Sequence, residues 1–152
     1  MVELKFEVEI GASAELVFSL LADLRDYDRW LPRSSAFHGT ARISDGPIAV
    51  GTTYIEPGPL GTRHGVLTEM VHPTRLAFEQ PMTLKPRIMG VIGIRLSHTL
   101  TPSGPSVHLK RELQLSPRGP IRLAMPLVVP MFRAENDRMM HTLKAYAEAN
   151  PI

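Results

Sequence analysis

Residues 2–10 alternate without a break: Val2, Leu4, Phe6, Val8 and Ile10 fall on one face, Glu3, Lys5, Glu7 and Glu9 on the other. A period of two with one apolar side predicts a half-buried strand. Gly11 ends it, Ser13 stands where it can cap a following helix, and Glu15 lies in that helix's first turn, where negative charge is favoured. Leu16, Val17, Leu20, Leu21 and Leu24 then recur at helical spacing. Residues 25–30 are expected to form a second short helix that closes at "WLP", because Leu31 precedes a proline and is pushed out of helical geometry.

From residue 36 the period shortens. Segments rich in β-branched and aromatic residues, at 36–44, 51–57, 63–71, 75–80, 90–100 and 106–115, alternate with Gly- and Pro-bearing connectors. No connector is long enough for a crossover helix, so seven antiparallel strands are expected when the first is counted. Segment 90–100 places Ile92, Ile94, Leu96, His98 and Leu100 on one face; segment 106–115 does the same with Val107, Leu109, Arg111, Leu113 and Leu115. Each apolar face thus holds one polar intruder. The turn "TPSGP" makes these segments neighbours, so His98 and Arg111 are expected within one or two pairing steps of each other. For 63–71 neither parity is purely apolar, and its inward face stays open.

After "SPRGP" the helical period returns. At 100° per residue, Ile121, Met125, Val128, Phe132, Met139, Leu143 and Tyr146 lie within about 40° of one line. Fully helical, the segment would reach on the order of 45 Å. Pro126 and Pro130 oppose that, because an interior proline removes a backbone bond and crowds the preceding turn. Either a bent helix is expected, or a short first piece followed by a straight helix from about Pro130. No repeat and no linker interrupts residues 1–152, which are read as one domain.

Composition narrows the function. A chain of 152 residues can bury roughly 70% of the surface its unfolded form exposes. The absence of cysteine excludes disulfides, a thiolate nucleophile and a cysteine metal site. No run of 18 apolar residues offers a membrane span, the first ten residues do not read as a signal peptide, and a cytoplasmic location is expected. Residues 1–76 carry seven Lys/Arg against ten Asp/Glu, whereas residues 77–152 carry ten against five. A basic half suits an anionic ligand or an acidic surface. Its cations form no dense run with interleaved aromatics, so nucleic acid is not an expected partner. His64 and His72 would stand about 27 Å apart on an extended chain, and His38, His108 and His141 have no ligand-like spacing. With no phosphate-binding loop, dinucleotide fingerprint or nucleophile elbow, neither metal nor cofactor is expected.

The stretch "FEVEIGASAELVFSLLADLRDYDRWLP" resembles the opening of the polyketide cyclase/dehydrase and lipid-transport family, part of the helix-grip group that includes Bet v1-like (birch-pollen-allergen) and START-type domains. "GVLTEMVHPTRLAFE" is similar to the family's fourth and fifth strands with their proline turn, and "HTLKAYAEA" to its helical ending. The resemblance implies an α+β helix-grip fold, in which a seven-stranded curved antiparallel sheet wraps around a long C-terminal helix and two short helices follow strand 1. Tyr27 and Trp30 would anchor the helical joint, leaving Asp23, Arg25, Asp26, Asp28 and Arg29 as its solvated face.

The resemblance also implies an internal cavity for a hydrophobic small molecule, lipid-like or polycyclic. Its apolar walls would be Trp30, Tyr54, Phe78, Ile94, Leu96, Leu113, Met125, Val128, Phe132 and Met139, with loop 57–61 and segment 81–89 at the mouth. His98, Arg111, Glu135 and Asn136 would supply the polar contacts. For each a plainer reading stands beside that one. Arg111 can pair with Glu56, Glu69 or Glu135 or snorkel past the sheet edge, His98 can be a satisfied core histidine, and Glu135 and Asn136 can tilt to solvent. Eight methionines suit an adaptable pocket or an ordinary core alike. The alternative is a cyclase-, aromatase- or dehydratase-like enzyme using His98, Arg111 or Glu135 as acid, base or enolate stabiliser. A third is a grip opening that holds another protein's segment. The expected assembly is a monomer or a weak homodimer.

Overall fold

A computed structural model of the chain describes residues 1–34 and 37–150. Strand β1 (Val2–Ile10) buries Leu4, Phe6 and Ile10, as its alternation requires. Helix α1 (Ala14–Ala22) starts on Ser13, whose hydroxyl accepts the Leu16 N–H at 3.1 Å. The charged stretch after it is a 3-10 helix, Leu24–Arg29, kinked at Asp26. Two aromatic side chains lock the joint. The Tyr27 hydroxyl donates to Leu21 O and the Trp30 indole N–H to Leu20 O at 3.2 Å, with the two rings edge to face at 5.3 Å.

Six further strands complete an antiparallel sheet: β2 (Thr53–Pro57), β3 (Gly61–Val71), β4 (Arg75–Glu79), β5 (Met82–Leu84), β6 (Val91–Ser103) and β7 (Ser106–Arg118). The order across it is β1-β7-β6-β4-β3-β2, with β5 bonded to both β3 and β6. Gly104, at φ +61°, makes the tight turn between β6 and β7.

The strand count agrees with the sequence, but two members differ. Segment 36–44 is not a strand; Ala36 lies outside the described residues, and 37–44 makes a single bridge, Ala41 to Ile55. Gly39 and Arg42 there have positive φ, and the Arg25 guanidinium satisfies the Ser44 and Gly46 carbonyls at 2.8 Å each in place of a neighbouring strand. The seventh strand is β5, which the sequence suggested was a connector. It continues β4 in register: Glu79 pairs with Arg95 and Met82 with Ile92, three residues on along one strand and three back along β6. Pro81 interrupts the ladder only because it has no N–H to give, and its carbonyl still accepts from His64 N at 3.0 Å.

The inward face of β3 has a physical answer. A bulge between Leu67 and Glu69 reverses its parity, so Gly65 and Leu67 point inward before it and Met70 after it. The C-terminal segment is a 3-10 turn, Pro120–Ala124, followed by one α-helix, α2 (Met125–Ala149). The break therefore falls before Met125, not at Pro130. Pro126 sits in the first turn, where no bond is lost. Pro130 forfeits one bond, to the carbonyl of exposed Pro126, which water can satisfy. No helix among the described residues is long and apolar enough to cross a membrane.

The C-terminal half of α2 lies against the end of β1, where Lys144 Nζ donates to Glu9 O and Gly11 N donates to Glu148 Oε2, both at 2.7 Å. Leu100, Leu109, Leu143 and Ala147 are fully buried in the core. The hollow opens elsewhere, beside Phe132 to Met139.

Candidate functional site

His98 on β6 and Arg111 on β7 are direct cross-strand partners on the inner face. Arg111 Nη1 donates to His98 Nε2 at 2.7 Å, and Arg111 Nε donates to Asn136 Oδ1 at 2.7 Å. Asn136, buried on α2, spends its own N–H on Phe132 O one turn back. The guanidinium therefore spans from sheet to helix. This arrangement also fixes the imidazole: Nε2 accepts, so the ring proton resides on Nδ1. Burial, reinforced by the neighbouring guanidinium, holds His98 well below the usual histidine range, with the Leu76 backbone opposing this only weakly.

Each carboxylate that could have neutralised Arg111 is engaged by another arginine. Glu56 pairs with Arg63 at 3.3 Å and accepts the Thr40 hydroxyl at 2.9 Å; Glu69 pairs with Arg75 at 3.1 Å; Glu135 pairs with Arg138 at 2.5 Å. Among the described residues, Arg111 has no ion-pair partner, and its remaining N–H groups are left to the cavity it lines. Burial pushes its pKa down to about 10. It is nonetheless charged at neutral pH, because about three pH units still separate the two.

The cavity lies between the sheet's inner face and α2, with a volume of about 110 Å³. Tyr54, Phe78, Ile94, Leu96, Arg111, Leu113, Phe132, Glu135, Asn136 and Met139 all line it. Four residues nominated from sequence do not. His98 stands behind Arg111, fully buried, with Phe78 edge-on at 6.2 Å. Trp30 is spent on the helical joint, and Met125 and Val128 are packed in the core nearer the start of α2. Gly58, Pro59 and Leu60 of loop 57–61 line the cavity, whereas segment 81–89 contributes Met82 alone.

Sequence reasoning missed Leu24, Tyr27, Leu31 and Phe37, which wall the side nearest the joint, and Arg63, Gln80 and Met131. Gln80 was detectable, since it continues the inward parity of Leu76 and Phe78; the Tyr54 hydroxyl donates to its Oε1 at 2.7 Å. The two wall tyrosines are poor acids. Burial first, then the charge of Glu56, keeps the hydroxyls of Tyr54 and Tyr27 above the usual tyrosine range. Glu135 sits at the rim, where Arg138 also reaches Pro32 O at 3.2 Å and so ties α2 to the loop after the joint.

Known proteins agree with this architecture. An aromatase/cyclase, ZhuI, from a Streptomyces species superposes with a TM-score of 0.78 at 13% identity, over 99% of each chain. Norcoclaurine synthase from Thalictrum flavum, in complex with dopamine and hydroxybenzaldehyde, gives 0.71 at 15% identity, over 99% of this chain and 88% of that one. A Rhizobium loti protein gives 0.70 at 21% identity, over 95% of each. At these identities the likeness establishes the fold, a helix grip, and nothing finer. No curated protein sequence matches the chain significantly. The sequence model described as polyketide cyclase/dehydrase and lipid transport covers residues 1–148, and with that span the chain belongs to this family.

Proposed function

We propose that this protein binds a hydrophobic small molecule carrying an acidic or carbonyl oxygen, with that oxygen on Arg111. The observation that supports this reading is the inner guanidinium whose three candidate carboxylates are all engaged elsewhere. A half-buried cation held by two neutral acceptors remains under-compensated, and an incoming anion or carbonyl supplies what the fold withholds. The apolar and aromatic walls suit a ring system or short acyl chain, and 110 Å³ is several times the roughly 10–15 Å³ that one water needs.

Calorimetric titration with matched ligands tests it: an aromatic or acyl carboxylate against its methyl ester and its alcohol. Charge-assisted hydrogen bonds of about 1.5–3 kcal/mol predict a preference of roughly 10- to 100-fold for the acid, with the ester between. Native mass spectrometry of protein purified without detergent reads any retained ligand. An empty protein that gives no heat with any of the three, or treats acid and alcohol alike, would count against the reading.

A second reading draws on the same guanidinium. An aromatase/cyclase and norcoclaurine synthase share this fold, and a cation aimed into an apolar cavity suits stabilisation of an enolate oxygen. In that reading Arg111 is the electrostatic stabiliser and rim Glu135 the proton acceptor. His98 takes no part as an acid or base, because its Nε2 lone pair is given to Arg111. Turnover of a poly-β-carbonyl substrate that survives Glu135→Gln unchanged would remove this reading.

A further inference from the structure

The outside of α2's first turns carries apolar side chains that nothing in the fold covers. Leu123 is 90% exposed, Leu127 77% and Met131 45%. They stand four residues apart, the last two one turn from each other on α2. Ile88, 79% exposed, belongs to the 3-10 turn Arg87–Met89, which lies beside the turn Pro120–Ala124. A Cβ on Gly119 would come within 3.1 Å of Gly90 Cα, so these two turns adjoin closely. Met131 also lines the cavity, so the apolar strip starts at the mouth.

The unpaired charge around the strip has one sign, because Glu135 at the rim is held by Arg138. Lys85, Arg87, Arg118 and Arg122 are exposed on the same two turns and their flanks, and none of their side chains has an ion-pair or hydrogen-bond partner among the described residues. Between Gln80 and Ala134 the sequence contains one carboxylate, Glu112, which stands on β7 near Lys110 at 3.9 Å. Isolated exposed leucines are ordinary on any protein, but a run of them ringed by unpaired cations is not. Side chains exposed to 77–90% project outward and do not wall a groove, so the surface is ill-shaped to hold a partner's helix or strand. Apolar tips that enter the boundary of headgroups and acyl chains, with cations level with lipid phosphates, match it in shape and charge.

We infer that this face docks on an anionic lipid bilayer and presents the cavity mouth to it. The inference goes beyond the ligand reading and is tested apart from it, since vesicle binding is measured with no ligand added. Co-sedimentation uses vesicles of phosphatidylcholine alone and with 30% phosphatidylglycerol, at 0.05 M and 0.5 M salt. Partition is expected into the anionic vesicles at low salt, with most of it lost at high salt. Near such a surface each cation contributes roughly fivefold in affinity, so Arg118→Gln/Arg122→Gln is expected to weaken partition about 25-fold. Leu123→Ser/Leu127→Ser is expected to weaken it at least tenfold, and both variants keep the far-ultraviolet spectrum of the parent. No partition into anionic vesicles, equal partition into neutral ones, or indifference to all four substitutions would overturn the inference. So would self-association abolished by Leu123→Ser/Leu127→Ser without vesicle binding, which would assign the face to a second copy of the chain.

Discussion

Arg111→Met separates what the guanidinium does for a ligand from what it does for the fold. Burial lowers its pKa from 12.5 to about 10, a penalty on the charged form of roughly 3 kcal/mol at neutral pH. Methionine has similar reach, adapts to irregular space and carries no charge, so the substitution lifts that penalty. Against this, Asn136 Oδ1 and His98 Nε2 lose their donor, at about 1–3 kcal/mol each. The two sides nearly cancel. The expected change in unfolding free energy runs from about 1 kcal/mol gained to about 3 lost, a fall in Tm of no more than roughly 12 °C for a chain of this size.

Urea denaturation followed by circular dichroism reads the change. Arg111→Met/His98→Leu is expected to recover part of any loss, because removing both members of a buried polar pair strands neither. The pH dependence follows from the sign of the shift. A base whose folded pKa is depressed weighs against the fold at full strength below that pKa, and is relieved only as pH rises through about 10. The gap between parent and variant is therefore expected to be flat from pH 7 to 9. Loss of more than about 5 kcal/mol, or a gap that changes across that window, would refute the under-compensated cation.

Three other substitutions or titrations test separate steps. A Cβ on Gly65 would lie 2.1 Å from Tyr54 Cζ, so Gly65→Ala must swing the ring off Gln80 and lower stability by about 2–4 kcal/mol; parental stability in urea would contradict this. His108 bridges Glu9 at 2.7 Å and Glu7 at 3.0 Å on the outer face, and those bonds raise its pKa above 6.5 while His108 lowers that of Glu7 below 4.5. The histidine's share of stability is then full below pH 6.5 and fades as pH rises through its folded pKa; the Glu7 share is present above 4.5 and fades as pH falls through its own. An NMR titration that places His108 at or below 6.5 would rule out the bridge. Pro130→Ala restores an N–H to α2 and is expected to raise stability by about 1–3 kcal/mol; a loss in thermal denaturation would show that proline shapes the helix beyond its missing bond.

The elements that read correctly from sequence are those with one buried face and no interruption. β1, β6 and β7 each keep strict parity over their inward residues, so their alternation decided both the element and the position of His98 against Arg111. Errors and open readings arose where a local device overrode the period. Pro81 split one strand into β4 and β5 and so resembled a turn, and the bulge at Leu67/Glu69 gave β3 two inward parities in succession. Segment 37–44 has the residues of a strand, but Arg25 bonds the carbonyls of Ser44 at its end and of Gly46 just beyond it from elsewhere in the chain. The cavity followed the same rule in part. Wall positions on β6 and β7 were legible, whereas Leu31 and Phe37 came from irregular backbone whose inward direction no period encodes, and Arg63 and Met131 lie on β3 and α2 off the apolar pattern.

Charge and hollow require each other here. Arg111 is held from both layers, by His98 on the sheet and by Asn136 on the helix, and Asn136 is itself fixed to Phe132 O. With the cavity filled by apolar side chains, the remaining guanidinium N–H groups would be stranded in a dry core. With the cavity wide open to water, the pKa would not be driven down to about 10. The observed state lies between: a half-enclosed space of about 110 Å³ facing a cation that burial has weakened without discharging. The same three-residue link is also a strut, since it joins β7 to α2 at the level of the cavity. Pocket height and pocket charge therefore cannot be varied independently at this position, and a shorter side chain at 111 that brought helix and sheet together would narrow the very space its polar end serves.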